Sequence, residues 1–270
     1  GGGETYTGSL MLRQAIAEAE EFCRTHGVSL AAIEQTPAGS LDRLTKIAEA
    51  VECLISPDPL RKDFLGQESW VRTLFQAVKP DPSVLEFASR AACLTTIAET
   101  IRERTGEGLA DISAVMDDLN KILDASVAAD GFHIPQGKSG HGVIDLTKID
   151  FEALAKRFEK SKTRNIDLEQ LKAAIRSQLD KLVRVNRTRA DYLTKFEELI
   201  ESYNAGSRNI DELFKELLAL SRSLNEEQER HVRECLSEEE LVVFDILTRP
   251  APELAPEERA EVKKVARDML

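Results

Sequence analysis

The sequence predicts an all-α protein with two helical units, the second built on one long helix at about residues 167–205. Apolar residues recur at steps of three and four along most of the chain, which is the period of an amphipathic helix, and no segment shows the alternation of a strand. The composition agrees, because 31% of the residues are charged and only 5% are aromatic, a balance that suits helices more than sheets.

The long helix is predicted by one continuous packing seam. Its steps alternate three and four residues, as in helices that pack lengthwise. The seam comprises Leu168, Leu171, Ile175, Gln178, Leu182, Val185, Arg189, Tyr192, Phe196, Leu199 and Tyr203. Asp167 followed by Gln170 fits a capping box at the start. At a rise of about 1.5 Å per residue the helix would be roughly 55–60 Å long, which predicts a strut along which other helices dock.

Two positions on this seam are polar, Gln178 and Arg189. A polar residue on a packing seam sets the register between helices or marks the place where one partner helix gives way to another. Such a position can also lie in a solvated gap or face a ligand. The sequence leaves these interpretations open.

The first half of the chain predicts a series of shorter helices after a flexible lead-in at residues 1–8. Each has an apolar stripe, and glycine or proline marks several of the boundaries. The predicted segments are 9–26, a short piece at 30–33, 41–55, about 57–78, 81–104 and 109–129.

Residues 130–149 interrupt the helical pattern with four glycines and Pro135, a composition typical of a linker. The predicted domains are an N-terminal helical unit at 1–130, a Gly-rich linker at 131–148 and a C-terminal helical unit at 149–270. The C-terminal unit also contains predicted helices at 150–159 and 210–220, short helices opened by capping boxes at 225–228 and 237–240, and a last helix from Pro256.

The overall charge and the cysteines limit the function classes. The formal net charge is −12, so the chain as a whole repels nucleic acid and anionic membrane. No apolar run is long enough to span a membrane. Four widely spaced cysteines in apolar helical stretches predict buried free thiols of a cytoplasmic protein rather than a disulfide frame or a zinc site. The chain opens without methionine and ends inside a helical pattern, which predicts a piece of a longer protein.

One basic segment lies inside this acidic chain. Residues 156–189 contain eleven Lys and Arg against four Asp and Glu. The candidate binding residues for nucleic acid or a protein partner are Lys172, Arg176, Lys181, Arg184, Arg187 and Arg189. Three interpretations remain open: phosphate contact, docking onto an acidic protein surface, and solvated pairing with nearby acids. Asp180 lies four positions from both Arg176 and Arg184, which favours local pairing there.

Catalytic and metal-binding patterns are weak. Gly137-Lys138-Ser139 has the letters of a phosphate-binding loop, but Phe132 stands where that motif requires glycine, and the preceding segment is a predicted helix. His133 and His141 share the same loop without further ligands at zinc spacing. We therefore predict that these residues hold no catalytic centre, metal or cofactor.

Several sequence segments in the second half of the chain are distinctive in combination. They are IDLTKIDFEAL (144–154), RFEKSKTRN (157–165), LEQLKAAIR (168–176), NRTRADY (186–192), ESYNAGSRNI (201–210) and FDILTRP (244–250). In these the chain resembles the C-terminal helical region of the restriction (R) subunit of type I restriction-modification enzymes. The likeness is strong over residues 143–270 and looser in the first half.

The resemblance implies a parent that is an ATP-dependent DNA translocase and endonuclease. Its nuclease and motor domains, which would use ATP and Mg²⁺, precede this region, and their motifs are not in this sequence. The resemblance further implies a non-catalytic scaffold that docks the R subunit onto the modification and specificity subunits and meets DNA through the complete complex. The alternative is a helical module that binds DNA directly through the basic segment 156–189.

Overall fold

The computed structural model describes residues 2–78, 82–106, 146, 149–249 and 253–270. Within these ranges the chain is helical and contains no strand, so the prediction of an all-α fold is confirmed. The helices are α1 Gly2–Thr25, α2 Leu30–Glu34, α3 Leu41–Leu54, α4 Asp58–Val78, α5 Ala88–Thr105, α6 Phe151–Lys160, α7 Arg164–Val185, α8 Ala190–Asn204, α9 Ile210–Gln228, α10 Arg230–Arg233, α11 Glu238–Thr248 and α12 Pro256–Asp268. Short 3-10 segments lie at Pro82–Phe87 and Arg187–Arg189.

The sequence located most helix boundaries closely, and α3 and α4 differ from their predicted bounds by one residue at an end. The predicted flexible lead-in is wrong, because α1 begins at Gly2. The helix predicted at 81–104 is divided into a 3-10 segment and α5. The helix predicted at 109–129 lies outside the described residues, as do the Gly137-Lys138-Ser139 loop and both of its histidines.

The fold divides into two compact units. Unit 1 combines α1 to α5 with Arg157–Gln170, and unit 2 combines the start of α6, up to Lys156, with Leu171–Leu270. The predicted linker at 131–148 falls outside the described residues except for Leu146. The predicted domain boundaries therefore stay a prediction.

Unit 1 is organised around α5. This helix contacts α2, α3, α4 and the 3-10 segment before it, and it is buried on several sides because many of its side chains are small or aliphatic. Its buried residues are Ala91, Cys93, Leu94, Ile97, Ala98, Thr100 and Ile101. The apolar faces of α1, α3 and α4 complete the same core, which supplies the main driving force for folding this unit.

The first turn of α7 is held by a carboxylate from α3. Glu52 accepts hydrogen bonds from the backbone N–H groups of Asn165 at 2.8 Å and Ile166 at 3.0 Å. These N–H groups have no partner within their own helix, so an anion is favoured there. Burial raises the pKa of Glu52 to about 7 although these hydrogen bonds act in the opposite direction. A side chain more than a hundred positions away in sequence therefore caps the helix.

Asp167 is not the N-cap that the sequence predicts, because α7 begins three residues earlier at Arg164. Its side chain is buried and accepts a hydrogen bond from the Ser161 hydroxyl. Burial raises the pKa of Asp167 to about 6.

Unit 2 confirms some predicted helix starts and corrects one. Asn209 and Ser237 each form a reciprocal capping box, and Pro256 opens α12. Asn225 does not begin a helix, since α9 continues through it to Gln228. Its side chain instead accepts from Gln178 of α7 at 3.0 Å and donates to a backbone carbonyl at residue 146. The polar seam position at Gln178 therefore links α7 to α9 through a side-chain hydrogen bond.

The single long helix predicted at 167–205 is wrong. The structure has α7, a break at Asn186, a 3-10 turn and then α8. Asn186 has φ −138° and ψ 104°, which is extended backbone. The apolar period continues across this point, so sequence periodicity alone gives no sign of the break.

The four cysteines are free thiols. Cys23 and Cys93 are buried and Cys53 is partly buried, but Cys235 is exposed, which corrects the prediction that all four are buried. Among the helices that the structure describes, none is long and apolar enough to cross a membrane.

Candidate functional site

The break between α7 and α8 is stabilised by its own side chains. The Asn186 side-chain oxygen accepts hydrogen bonds from the backbone N–H of Thr188 at 3.1 Å and from its hydroxyl at 2.8 Å. This is the local turn that asparagine forms readily in place of a helical hydrogen bond. The Asn186 amide then donates to Asp245 of α11 at 2.7 Å. The same Asn186 side chain therefore stabilises the local turn and connects it to α11.

Arg189 lies beside this turn and is buried, with 1% of its surface exposed. Its guanidinium pairs with Glu227 of α9 at 2.9 Å and with Glu238 of α11 at 3.3 Å. A buried guanidinium requires such partners, because removing an ion from water costs several kcal/mol. The second polar position of the predicted seam is thus a structural ion pair at the point where the chain changes direction.

Arg230 extends the ion pairs. It contacts Glu227 at 3.0 Å and also pairs with Asp245. We call Asn186, Arg189, Glu227, Arg230, Glu238 and Asp245 the buried ionic cluster. It joins the break to α9, α10 and α11, so it fixes the direction in which α8 leaves α7.

An ion pair shows that α8 turns back toward α7. Arg176 of α7 contacts Glu197 of α8 at 3.0 Å, although the two residues lie on opposite sides of Asn186. In one straight helix a separation of 21 positions would span roughly 30 Å, far beyond the reach of two side chains. The predicted strut is therefore bent at Asn186 into a V-shaped pair of helices, α7 and α8, which we call the helical hairpin.

A shallow open groove of about 510 Å³ lies in this hairpin. We call it the basic groove. Its lining residues are Asp180, Val183, Arg184, Arg187, Ala190 and Leu193. Val183 and Leu193 are partly buried, whereas Arg184 and Arg187 are exposed. A smaller groove of about 330 Å³ is lined by Asp191, Tyr192, Lys195 and Arg249.

The structure divides the six candidate binding residues into two groups. Lys172 and Arg189 are buried, and Arg176 is half exposed and paired with Asp180 and Glu197. Lys181, Arg184 and Arg187 are exposed, and they form no ion pair with any residue in the described part of the chain. The local pairing expected between Asp180 and Arg176 is present at 3.7 Å.

The sequence interpretation missed the acids that hold Arg189 and Arg230. Asp245 had a detectable signal, because it is a lone charge within the apolar run 241–247 of α11. Glu227 lies three positions after the buried Leu224 on α9, which places it at the end of an apolar stripe. An acid on an apolar stripe predicts a buried basic partner, although it does not identify that partner.

Within the described ranges no group of three or more His, Cys, Asp or Glu residues could hold a metal ion. The prediction that this region holds no cofactor or catalytic centre stays a prediction. The described residues form the hairpin with its open basic groove. Buried ion pairs stabilise the break between its two helices. These features define an all-α protein with an exposed basic surface.

Comparison with known proteins then identifies the family. The chain matches the family model described as "Type I restriction enzyme HindI endonuclease subunit-like, C-terminal" over residues 10–270. It therefore belongs to this family, which comprises the C-terminal regions of type I restriction enzyme endonuclease subunits, and the resemblance inferred from the sequence is confirmed. Neither a curated protein nor a solved structure was found to match it.

Proposed function

We propose that this chain is the non-catalytic assembly region of a type I restriction endonuclease subunit, which docks that subunit onto the modification and specificity subunits. Family membership supports an assembly role, because type I restriction enzymes are complexes of several subunits. ATP and Mg²⁺ would serve the motor and nuclease domains of the parent rather than these residues.

The observation that carries this proposal is the exposed set Lys181, Arg184 and Arg187. These side chains lie in water without an ion pair to any described residue, while neighbouring arginines are paired. The chain as a whole is acidic, so it has more than enough acidic residues to pair with every lysine and arginine. Unpaired cations of this kind steer and orient an oppositely charged partner more than they stabilise the fold.

Direct DNA binding is the second candidate, and the same three cations favour it. Lys and Arg side chains that reach phosphate oxygens supply most of the sequence-independent affinity for DNA. Arg189 and Lys172 are buried, however, which removes two of the six candidate residues from contact with DNA. The net charge of −12 also opposes the approach of a polyanion.

A binding assay with two probes separates the candidates. The chain is titrated with a purified complex of the modification and specificity subunits, and separately with a DNA duplex, over a range of salt concentrations. Docking predicts saturable binding to the protein complex and weak binding to duplex. A steep fall of log K with log salt for the duplex, together with no binding to the protein complex, would favour the DNA-binding candidate.

A further inference from the structure

We infer that the basic groove binds an acidic amphipathic helix of a partner subunit. This inference rests on the proposed function, and it identifies the surface and the partner chemistry through which assembly would occur. The groove lies within one unit of the fold and its lining residues are all described.

The shape of the groove suits a helix. α7 and α8 diverge from Asn186, and the Arg176–Glu197 ion pair bridges them about ten residues from the break. At about 1.5 Å per residue this leaves an open stretch of roughly 15 Å, the length of two to three helical turns. An amphipathic helix that lays its apolar face between two helices is a common mode of protein recognition.

The lining residues combine apolar and basic side chains. Val183, Ala190 and Leu193 offer apolar surface, and Arg184 and Arg187 lie beside it. Apolar residues at the centre with charges at the edge are the usual composition of a protein–protein interface. A partner helix with apolar residues on one face and Asp or Glu along its edges would complement both features.

The same lining argues against DNA as the occupant. Asp180 lies among the lining residues with 60% of its side chain exposed, so a phosphate placed in the groove would meet a like charge. Apolar side chains add nothing to phosphate recognition. An acidic helix can direct its carboxylates toward Arg184 and Arg187 and away from Asp180, whereas DNA carries phosphates at regular short intervals.

The experiment reverses the charge of the groove in the full chain. Arg184→Glu with Arg187→Glu is compared with Lys215→Glu and Lys264→Glu, which changes the net charge equally at exposed positions that do not line the groove. Binding to the purified modification and specificity complex is measured by titration. We expect the groove variant to lose affinity about tenfold or more, and the control variant to change it by less than about twofold.

A second variant tests the apolar part of the groove. Leu193→Ser removes apolar contact without changing charge, and we expect it to weaken binding to the protein complex about threefold or more while leaving any binding to a DNA duplex unchanged. Circular dichroism of each variant establishes that the helices are retained, so that a loss of affinity reports on the surface.

The outcomes separate this inference from the proposed function. If the unaltered chain binds the complex and the groove variants bind it equally well, the groove is not the docking surface although docking stands. If the unaltered chain does not bind the complex, the proposed function fails and the inference with it. If charge reversal abolishes duplex binding and leaves complex binding intact, the occupant is DNA and the inference is overturned.

Discussion

The buried ionic cluster and the basic groove use the same kind of residue in opposite ways. Arg189 belongs to the cluster and is almost fully buried, whereas Arg184 and Arg187, a few positions earlier, are exposed. The difference comes from acids on other helices: Glu227 and Glu238 reach Arg189, and no described acid pairs with the other two. The count of basic residues in a segment therefore indicates neither which of them hold the fold nor which can meet a partner.

The largest effect that this comparison predicts is at Arg189. Arg189→Met leaves Glu227 buried with one arginine partner fewer, and breaking a buried ion pair in this way costs about 3–5 kcal/mol. Urea unfolding followed by circular dichroism measures the loss in free energy of unfolding. Arg184→Met is the matched control, for which we expect a change within about 0.5 kcal/mol. Equal effects of the two substitutions would show that Arg189 does not hold the fold.

The second prediction concerns Asn186. Asn186→Ala favours helix by intrinsic propensity, but it removes the turn that Thr188 joins and the hydrogen bond to buried Asp245. Leaving that acceptor with fewer partners is expected to destabilise the protein by about 1–3 kcal/mol. The measurement is again the free energy of unfolding in urea. A more stable variant would mean that the break does not depend on these hydrogen bonds.

The third prediction concerns Glu52, a buried acid outside the cluster whose hydrogen bonds come from backbone N–H groups. Burial raises the pKa of Glu52 from 4.5 in the unfolded chain to about 7. The folded state then holds a proton that the unfolded state has lost, so this group's contribution to stability falls as the pH rises from about 4.5 to about 7. Asp167 titrates in an overlapping range, because burial raises its pKa to about 6.

Glu52→Gln removes this titration. We expect the native chain to lose stability relative to the variant between about pH 4.5 and about pH 7, as measured by the free energy of unfolding at each pH. Glu49→Gln, an exposed position on the same helix, is the control and should follow the native chain. A native chain that gains stability over this range relative to Glu52→Gln would contradict the raised pKa.

The smallest expected effect is at the far end of the hairpin. Arg176 and Glu197 are both about half exposed, at 49% and 57%, and an exposed ion pair contributes only about 0.2–1 kcal/mol. Arg176→Ala should therefore lower the free energy of unfolding by no more than about 1 kcal/mol. A loss as large as that of Arg189→Met would mean that this ion pair, rather than the buried ionic cluster, fixes the direction of α8 relative to α7.

Much of the fold follows from local patterns. The helices α3 and α4 were located because an apolar stripe of helical period ends at proline or polar turn residues. Ser237 was predicted to open a helix because Glu240 follows three positions later, and the Glu240 carboxylate accepts a hydrogen bond from the Ser237 backbone N–H. These features depend on residues within one or two turns of each other, so the sequence contains the information directly.

The candidate site was predictable only in part. The basic segment was visible in the sequence, and two of its six candidate residues, Arg184 and Arg187, are exposed and line the basic groove. The burial of Lys172 and Arg189 was not visible, because burial depends on which distant side chains surround a residue. Asn225 shows the same limit, since it has the spacing of a cap and yet lies within α9, where it binds Gln178 of α7.

By itself the sequence determined that this protein is all-α, that it belongs with the C-terminal regions of type I restriction endonuclease subunits, and where most helices begin and end. Only the tertiary structure decided that the apolar seam after Asp167 is a hairpin instead of a rod. The physical reason is that a helix and a turn differ little in local free energy at Asn186. Asp245 and Glu227, some 40 to 60 positions away, supply the buried hydrogen bonds and charges that favour the turn.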